Sequence, residues 1–159
     1  MNAEYVNPFL TAVSEVFREC YPNIDIKRGN IKVQEHHLAV KGCASIICIT
    51  GQIEGRVVID MKLETAILLA EDLLGEKHEI FDMDVSSSIN EIANMICGKA
   101  ISMLANKGMD VDISSPTLFT GMNMELYDSN VISDGIMIPL ETTYGQVDVN
   151  VAIAEQTAL

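Results

Sequence analysis

Within the stretch SSINEIANMICGKA, Ser87, Glu91, Asn94 and Gly98 follow one another at intervals of four, three and four residues. Each residue of an α-helix advances roughly 100°, so the four lie within about 60° of one another around the axis. Ile89, Ile92, Ile96 and Ala100 form an apolar stripe on the opposite side. Packing that stripe on a sheet turns Glu91 and Asn94 outward, and Gly98 leaves room for another protein's backbone to come close. A carboxylate beside a neutral carboxamide suits contact and the orientation of a bound group, with no nucleophile–base pair to drive covalent chemistry.

Cys20, Cys43, Cys48 and Cys97 lack CxxC spacing, and His36, His37 and His78 do not stand at metal-ligand intervals from them. Buried reduced thiols are therefore expected, and no metal site.

Each residue also has a structural reading. Ser88 and Glu91 have capping-box spacing, which would make Glu91 the third residue of a helix beginning near Ser88. Met83, Val85 and Ile89 carry the helical pattern further upstream, however, so Asp82 or Asp84 is the expected cap. Asn94 can be an ordinary solvated residue and Ser87 a helix-start hydroxyl. Asn is a poor helix former, which tilts a mid-helix Asn94 toward a role.

The element that must position these side chains is the longest in the chain. Residues 82–107 place Ile89, Ile92, Ala93, Ile96, Ala100, Met103 and Leu104 on one stripe, with Gly108 after it. Residues 63–74 read as a shorter amphipathic helix stopped by Gly75 in a left-handed cap. Residues 5–20 read as a first helix through Phe9, Leu10, Val13, Val16 and Phe17, with Pro8 tolerable near its start. Between and after them, IDIKRGNIKVQ, ASIICIT, GRVVIDM, VDISS, TLFTGM, DGIMIPLETTYG and QVDVNVAIA are β-rich segments broken by Gly and Asn. The expected fold is α+β: two long helices and a shorter one on an antiparallel sheet, a helix–strands unit loosely repeated at 3–60 and 82–155, in a single domain over 1–159.

Composition removes several function classes. The 159 residues carry 23 acidic against 10 basic side chains, a formal net charge of -13. Such a surface repels phosphate backbones and anionic lipid heads, so neither nucleic acid nor a membrane is an expected partner. The start, MNAEYVNPFL, has no signal-peptide pattern and no apolar run approaches a membrane span, which points to the cytoplasm.

Ser87, Glu91 and Asn94, with Pro116 about twenty-two residues further on, resemble the pattern of the CheX, CheC and FliY chemotaxis phosphatases: Asp or Ser, then Glu, then Asn, then Pro. The proline stands one position early. The opening EYVNPF and the alternation of helices and strands are similar to CheX members, and a single helix with the full pattern resembles one-site CheX better than two-site CheC. Glu4 and Asn7 repeat the Glu-x-x-Asn spacing before Pro8 by chance.

The resemblance implies a phosphatase acting on the aspartyl phosphate of a CheY-like receiver. It implies that Asn94 orients the attacking water, Glu91 pairs with the receiver's lysine, and Ser87, Gly98 and Pro116 contribute to partner contact. No cofactor of its own is implied, only Mg²⁺ on the receiver, and a homodimer made by continuing the sheet. A non-catalytic interaction module of the same fold is the alternative.

Overall fold

Asn2 opens the first helix by accepting the Glu4 N–H on its side-chain oxygen at 3.0 Å, which satisfies one of the amide donors that a helix start leaves free. The structure, a computed structural model, describes residues 2–34, 37–128 and 135–156. Helix α1 (Ala3–Cys20) buries Val6, Phe9, Ala12, Val13, Val16 and Phe17 along one side, and Pro8 lies within its second turn. Five strands follow: β1 (Ile26–Arg28), β2 (Lys32–Gln34), β3 (His37–Ala39), β4 (Cys43–Gly51) and β5 (Ile53–Met61). Helix α2 (Leu63–Leu74) ends at Gly75, whose φ of 73° is the left-handed cap expected from the sequence.

Helix α3 (Met83–Ala105) then leads to β6 (Val111–Ile113), β7 (Thr117–Thr120), β8 (Glu125–Tyr127), β9 (Gly135–Thr142) and β10 (Gly145–Glu155). The main sheet is antiparallel in the order β1-β9-β10-β5-β4-β6, with β2 beside β9 and β7 beside β4. Exchanging β1 with β6, β2 with β7, β4 with β9 and β5 with β10 reproduces this order read backwards. The helix–strands unit is thus repeated about an axis between β5 and β10. At that junction the two backbones approach so closely that a Cβ on Gly55 would stand 2.0 Å from the Ala152 carbonyl oxygen.

All three helices cover one face of the sheet and share one core with it, including Phe9, Phe17, Ile47, Ile59, Leu69, Ile89, Ile96 and Val149. The other face is partly covered by the β3–β8 ribbon, where Leu38 and Leu126 pack on Ala44 and Val58. Among the described residues no helix is long and apolar enough to cross a membrane. The thiols correct one expectation: all four are free, Cys43 and Cys97 are buried and Cys20 half-buried, but Cys48 is exposed. In β4 successive side chains alternate between faces, and Cys48 falls on the side away from the helices.

Candidate functional site on helix α3

Asp82 settles where α3 begins. Its Oδ1 accepts the N–H groups of Asp84 at 3.1 Å and Val85 at 3.0 Å, making it the N-cap. Glu91 is therefore more than two turns inside the helix, and the capping-box reading of Ser88 with Glu91 does not hold. Ser88 is buried, and its hydroxyl donates to the Asp84 carbonyl at 2.8 Å. Val85, Ile89, Ile92, Ala93, Ile96, Cys97, Ala100 and Leu104 fill the core side, while the expected stripe member Met103 is half-buried.

The opposite side carries Ser87, Glu91 and Asn94, all exposed, and Gly98, half-buried. The side chains of Glu91 and Asn94 make no hydrogen bond or ion pair among the described residues. Asn90 shows the contrast: its Oδ1 accepts the hydroxyl of buried Ser45 on β4 at 2.7 Å, so it ties the helix to the sheet. Lys99, two turns beyond Glu91, is held by Glu15 at 2.9 Å and Glu19 at 2.7 Å on α1, which leaves Glu91 without a cation from its own helix. A Cβ added to Gly98 meets nothing within 4 Å, so the chain's own packing does not demand glycine there.

Met83, one turn before Ser87, extends this face and is 81% exposed, and Ile80 just upstream is 70% exposed. In the sequence Met83 marks only the helix start; a lone methionine at core spacing carries no signal of exposure. Pro116 is half-buried in the loop between β6 and β7, at the sheet edge against which α3 packs, and not on the exposed α3 face itself.

Cys20, Cys43 and Cys97 do not offer a rival chemistry. Burial pushes Cys43 and Cys97 up to about 12 and raises Cys20, where Glu19 and Glu91 add to the effect. A nucleophilic thiol needs the opposite shift.

Comparison with known proteins agrees with this geometry. The family model described as chemotaxis phosphatase CheX matches residues 43–141, from β4 through α3 into β9, and so contains the whole exposed α3 face. The CheY-P phosphatase CheX of Thermotoga maritima is 30% identical over 133 residues, covering 83% of this chain and 85% of that protein. Among solved structures, a chain of the CheX–CheY–BeF3–Mg²⁺ complex from Borrelia burgdorferi is 30% identical with a TM-score of 0.84, covering 95% of this chain and 98% of its own. A CheC-like superfamily protein from Shewanella sp. PV-4 is 25% identical with a TM-score of 0.83, covering 97% and 99%. With the family model spanning most of the chain and the fold matched nearly end to end, this protein belongs to the CheX family of chemotaxis phosphatases.

Proposed function

We propose that the chain, acting as one domain over residues 1–159, hydrolyses the aspartyl phosphate of a CheY-like receiver through the exposed face of α3. The observation that carries this reading is the pair Glu91 and Asn94: two polar side chains, exposed and without partners among the described residues, on the solvent side of α3 within the stretch that the family model matches. The Thermotoga relative is named a CheY-P phosphatase, and the Borrelia relative was solved with CheY, BeF3 and Mg²⁺.

A phosphorylated receiver already brings the acyl phosphate, its Mg²⁺ and a lysine, so a helper need only deliver a water in line with the departing aspartate oxygen. The Asn94 carboxamide hydrogen-bonds that water while staying neutral beside a phosphoryl group that would repel a carboxylate. Water oxygen bonds to phosphorus, the bond to the aspartate oxygen breaks, and inorganic phosphate leaves a free carboxylate. Glu91 pairs with the receiver's lysine and sets the register. Ser87 and Met83 extend the contact toward the helix start, Gly98 admits the partner's backbone, and Pro116 shapes the neighbouring loop.

The same reading takes the protein as a homodimer joined by continuing the sheet. The available edges are those of β1 with β2 and β6 with β7, where Val33 and Phe119 are 74% and 50% exposed.

The test is the decay of a phosphorylated receiver with Mg²⁺ and a substoichiometric amount of this protein. Asn94→Ala is expected to lower turnover by about 10²–10³-fold, the usual cost of one lost transition-state donor. Glu91→Lys is expected to weaken receiver binding in a titration. Full turnover by a folded Asn94→Ala variant rejects the mechanism, and receiver binding without turnover by the wild type makes the protein an interaction module.

A further inference from the structure

The connector between α2 and α3 holds His78 from several directions. Its backbone N–H donates to Glu71 Oε1 at 3.0 Å, its Nδ1 lies 2.7 Å from Asp82 Oδ2, and only 7% of its side chain is exposed. Nδ1 beside a carboxylate carries the ring proton, so a neutral imidazole presents its lone pair at Nε2. That Nε2 is buried without a hydrogen-bond partner among the described residues, and it stands 3.4 Å from Glu76 Oε1. Glu76, His78 and Asp84 offer ligand atoms that all lie within 4.8 Å of one another.

A lone pair at Nε2 beside the Glu76 carboxylate, with an Asp84 carboxylate oxygen in the same cluster, is repulsive unless a cation sits between them. An imidazole nitrogen with carboxylate oxygens, the imidazole's other nitrogen tied to a further carboxylate, is a donor set suited to Zn²⁺ and its neighbours in the first transition row. The positive end of α3 does not oppose this strongly, because Asp82 Oδ1 already covers two of its free amides. The competing positive ligand is a proton on Nε2, which would leave an imidazolium paired with Glu76. In the sequence, a histidine joined to carboxylates by a turn carries no spacing signature of the kind that His with Cys does.

We propose that Glu76, His78 and Asp84 bind one divalent transition-metal ion of the Zn²⁺ class through Nε2 and two carboxylate oxygens, with Asp82 orienting the imidazole. The experiment is a calorimetric titration of the chelator-treated full chain with Zn²⁺, repeated with Co²⁺ to read ligand-field absorption, at mildly alkaline pH. One ion per chain is expected, with a Tm that rises on Zn²⁺ addition. His78→Asn removes the ligand nitrogen but can still donate to Asp82; with Glu76→Gln and Asp84→Asn it should weaken binding at least tenfold. Asp82→Asn keeps a helix cap and should weaken it by about 10–100-fold. Cys48→Ser, which removes the exposed thiol, should change nothing. Circular dichroism establishes that each variant is folded. No binding by the wild type means that a proton is the occupant, and binding kept by folded His78→Asn or lost in Cys48→Ser places the ion elsewhere; each result overturns the proposal.

Discussion

Two asparagines four residues apart on one helix do different work. Asn90 is half-buried and bonded to Ser45, so its amide holds α3 on β4; Asn94 is exposed and bonded to nothing among the described residues. The roughly 100° advance per residue is enough to separate Asn94 from the core stripe, and so the face of Ser87, Glu91, Asn94 and Gly98 is legible in the sequence. The environments of Met83 and Pro116 are not, because exposure at a helix start and the position of a loop depend on contacts made far away in the chain. Gly98 yields a prediction at this scale. Glycine inside a helix costs about 1 kcal/mol relative to alanine, and the space around Gly98 is open. Gly98→Ala should therefore raise stability by about that amount in a denaturant titration. If the receiver's backbone approaches here, the same variant raises KM for the phosphorylated receiver while kcat holds. A stabilised variant with unchanged KM would remove Gly98 from the contact.

At the scale of elements, the three helices and the long strands were readable because each carries a sustained period and a stop. Gly75 has the positive φ that ends α2, and Asp82 was one of two expected caps for α3. The β3–β8 ribbon was missed: each strand has three residues, and their pairing joins His37 to Tyr127 across the chain, which no local pattern announces. Near that ribbon, Asp60 on β5 lies opposite Asp148 on β10, and its Oδ1 accepts the Lys41 N–H at 2.9 Å. The Lys41 ammonium pairs with Asp148. Burial pushes the Asp60 carboxyl up to about 6 despite Lys41, with the Asp148 charge adding to the rise. An acid whose pKa is higher folded than unfolded binds its proton more tightly in the native state. From about pH 4 to about pH 6 this group therefore makes stability fall as pH rises, and the loss levels off above that window. The full span corresponds to roughly 3 kcal/mol. Asp60→Asn should flatten that part of the profile, so urea unfolding at about pH 4 and about pH 7 should differ less in the variant than in the wild type. Parallel profiles would show that Asp60 ionises in the folded protein as it does in the unfolded chain.

Over the whole molecule, the repeated unit raises the question of why one half would carry chemistry and the other not. The exchange that maps the sheet onto itself also brings α1 onto α3, since each helix leads its set of strands. Six buried positions of α1, Pro8, Phe9, Ala12, Val13, Val16 and Phe17, match six of α3, Ser88, Ile89, Ile92, Ala93, Ile96 and Cys97, in the same spacing. In that match Thr11 and Ser14 stand where Glu91 and Asn94 do, and neither is a carboxylate or a carboxamide. Glu4 and Asn7, which repeat the Glu-x-x-Asn spacing, fall about two turns nearer the helix start, opposite Asp84 and Ser87. A second active face on α1 would thus need both residues to act from a different height on the helix, at an end where the Glu4 N–H is already committed to Asn2. The double variant Glu4→Gln with Asn7→Ala should therefore dephosphorylate the receiver as fast as the wild type, under conditions where Asn94→Ala is about 10²–10³-fold slower. Both residues are exposed, so the fold should survive with a change of about 0.5 kcal/mol or less. A loss of tenfold or more in a folded double variant would instead mean that both halves of the repeat turn over substrate, and that the spacing at Glu4 and Asn7 is not coincidence.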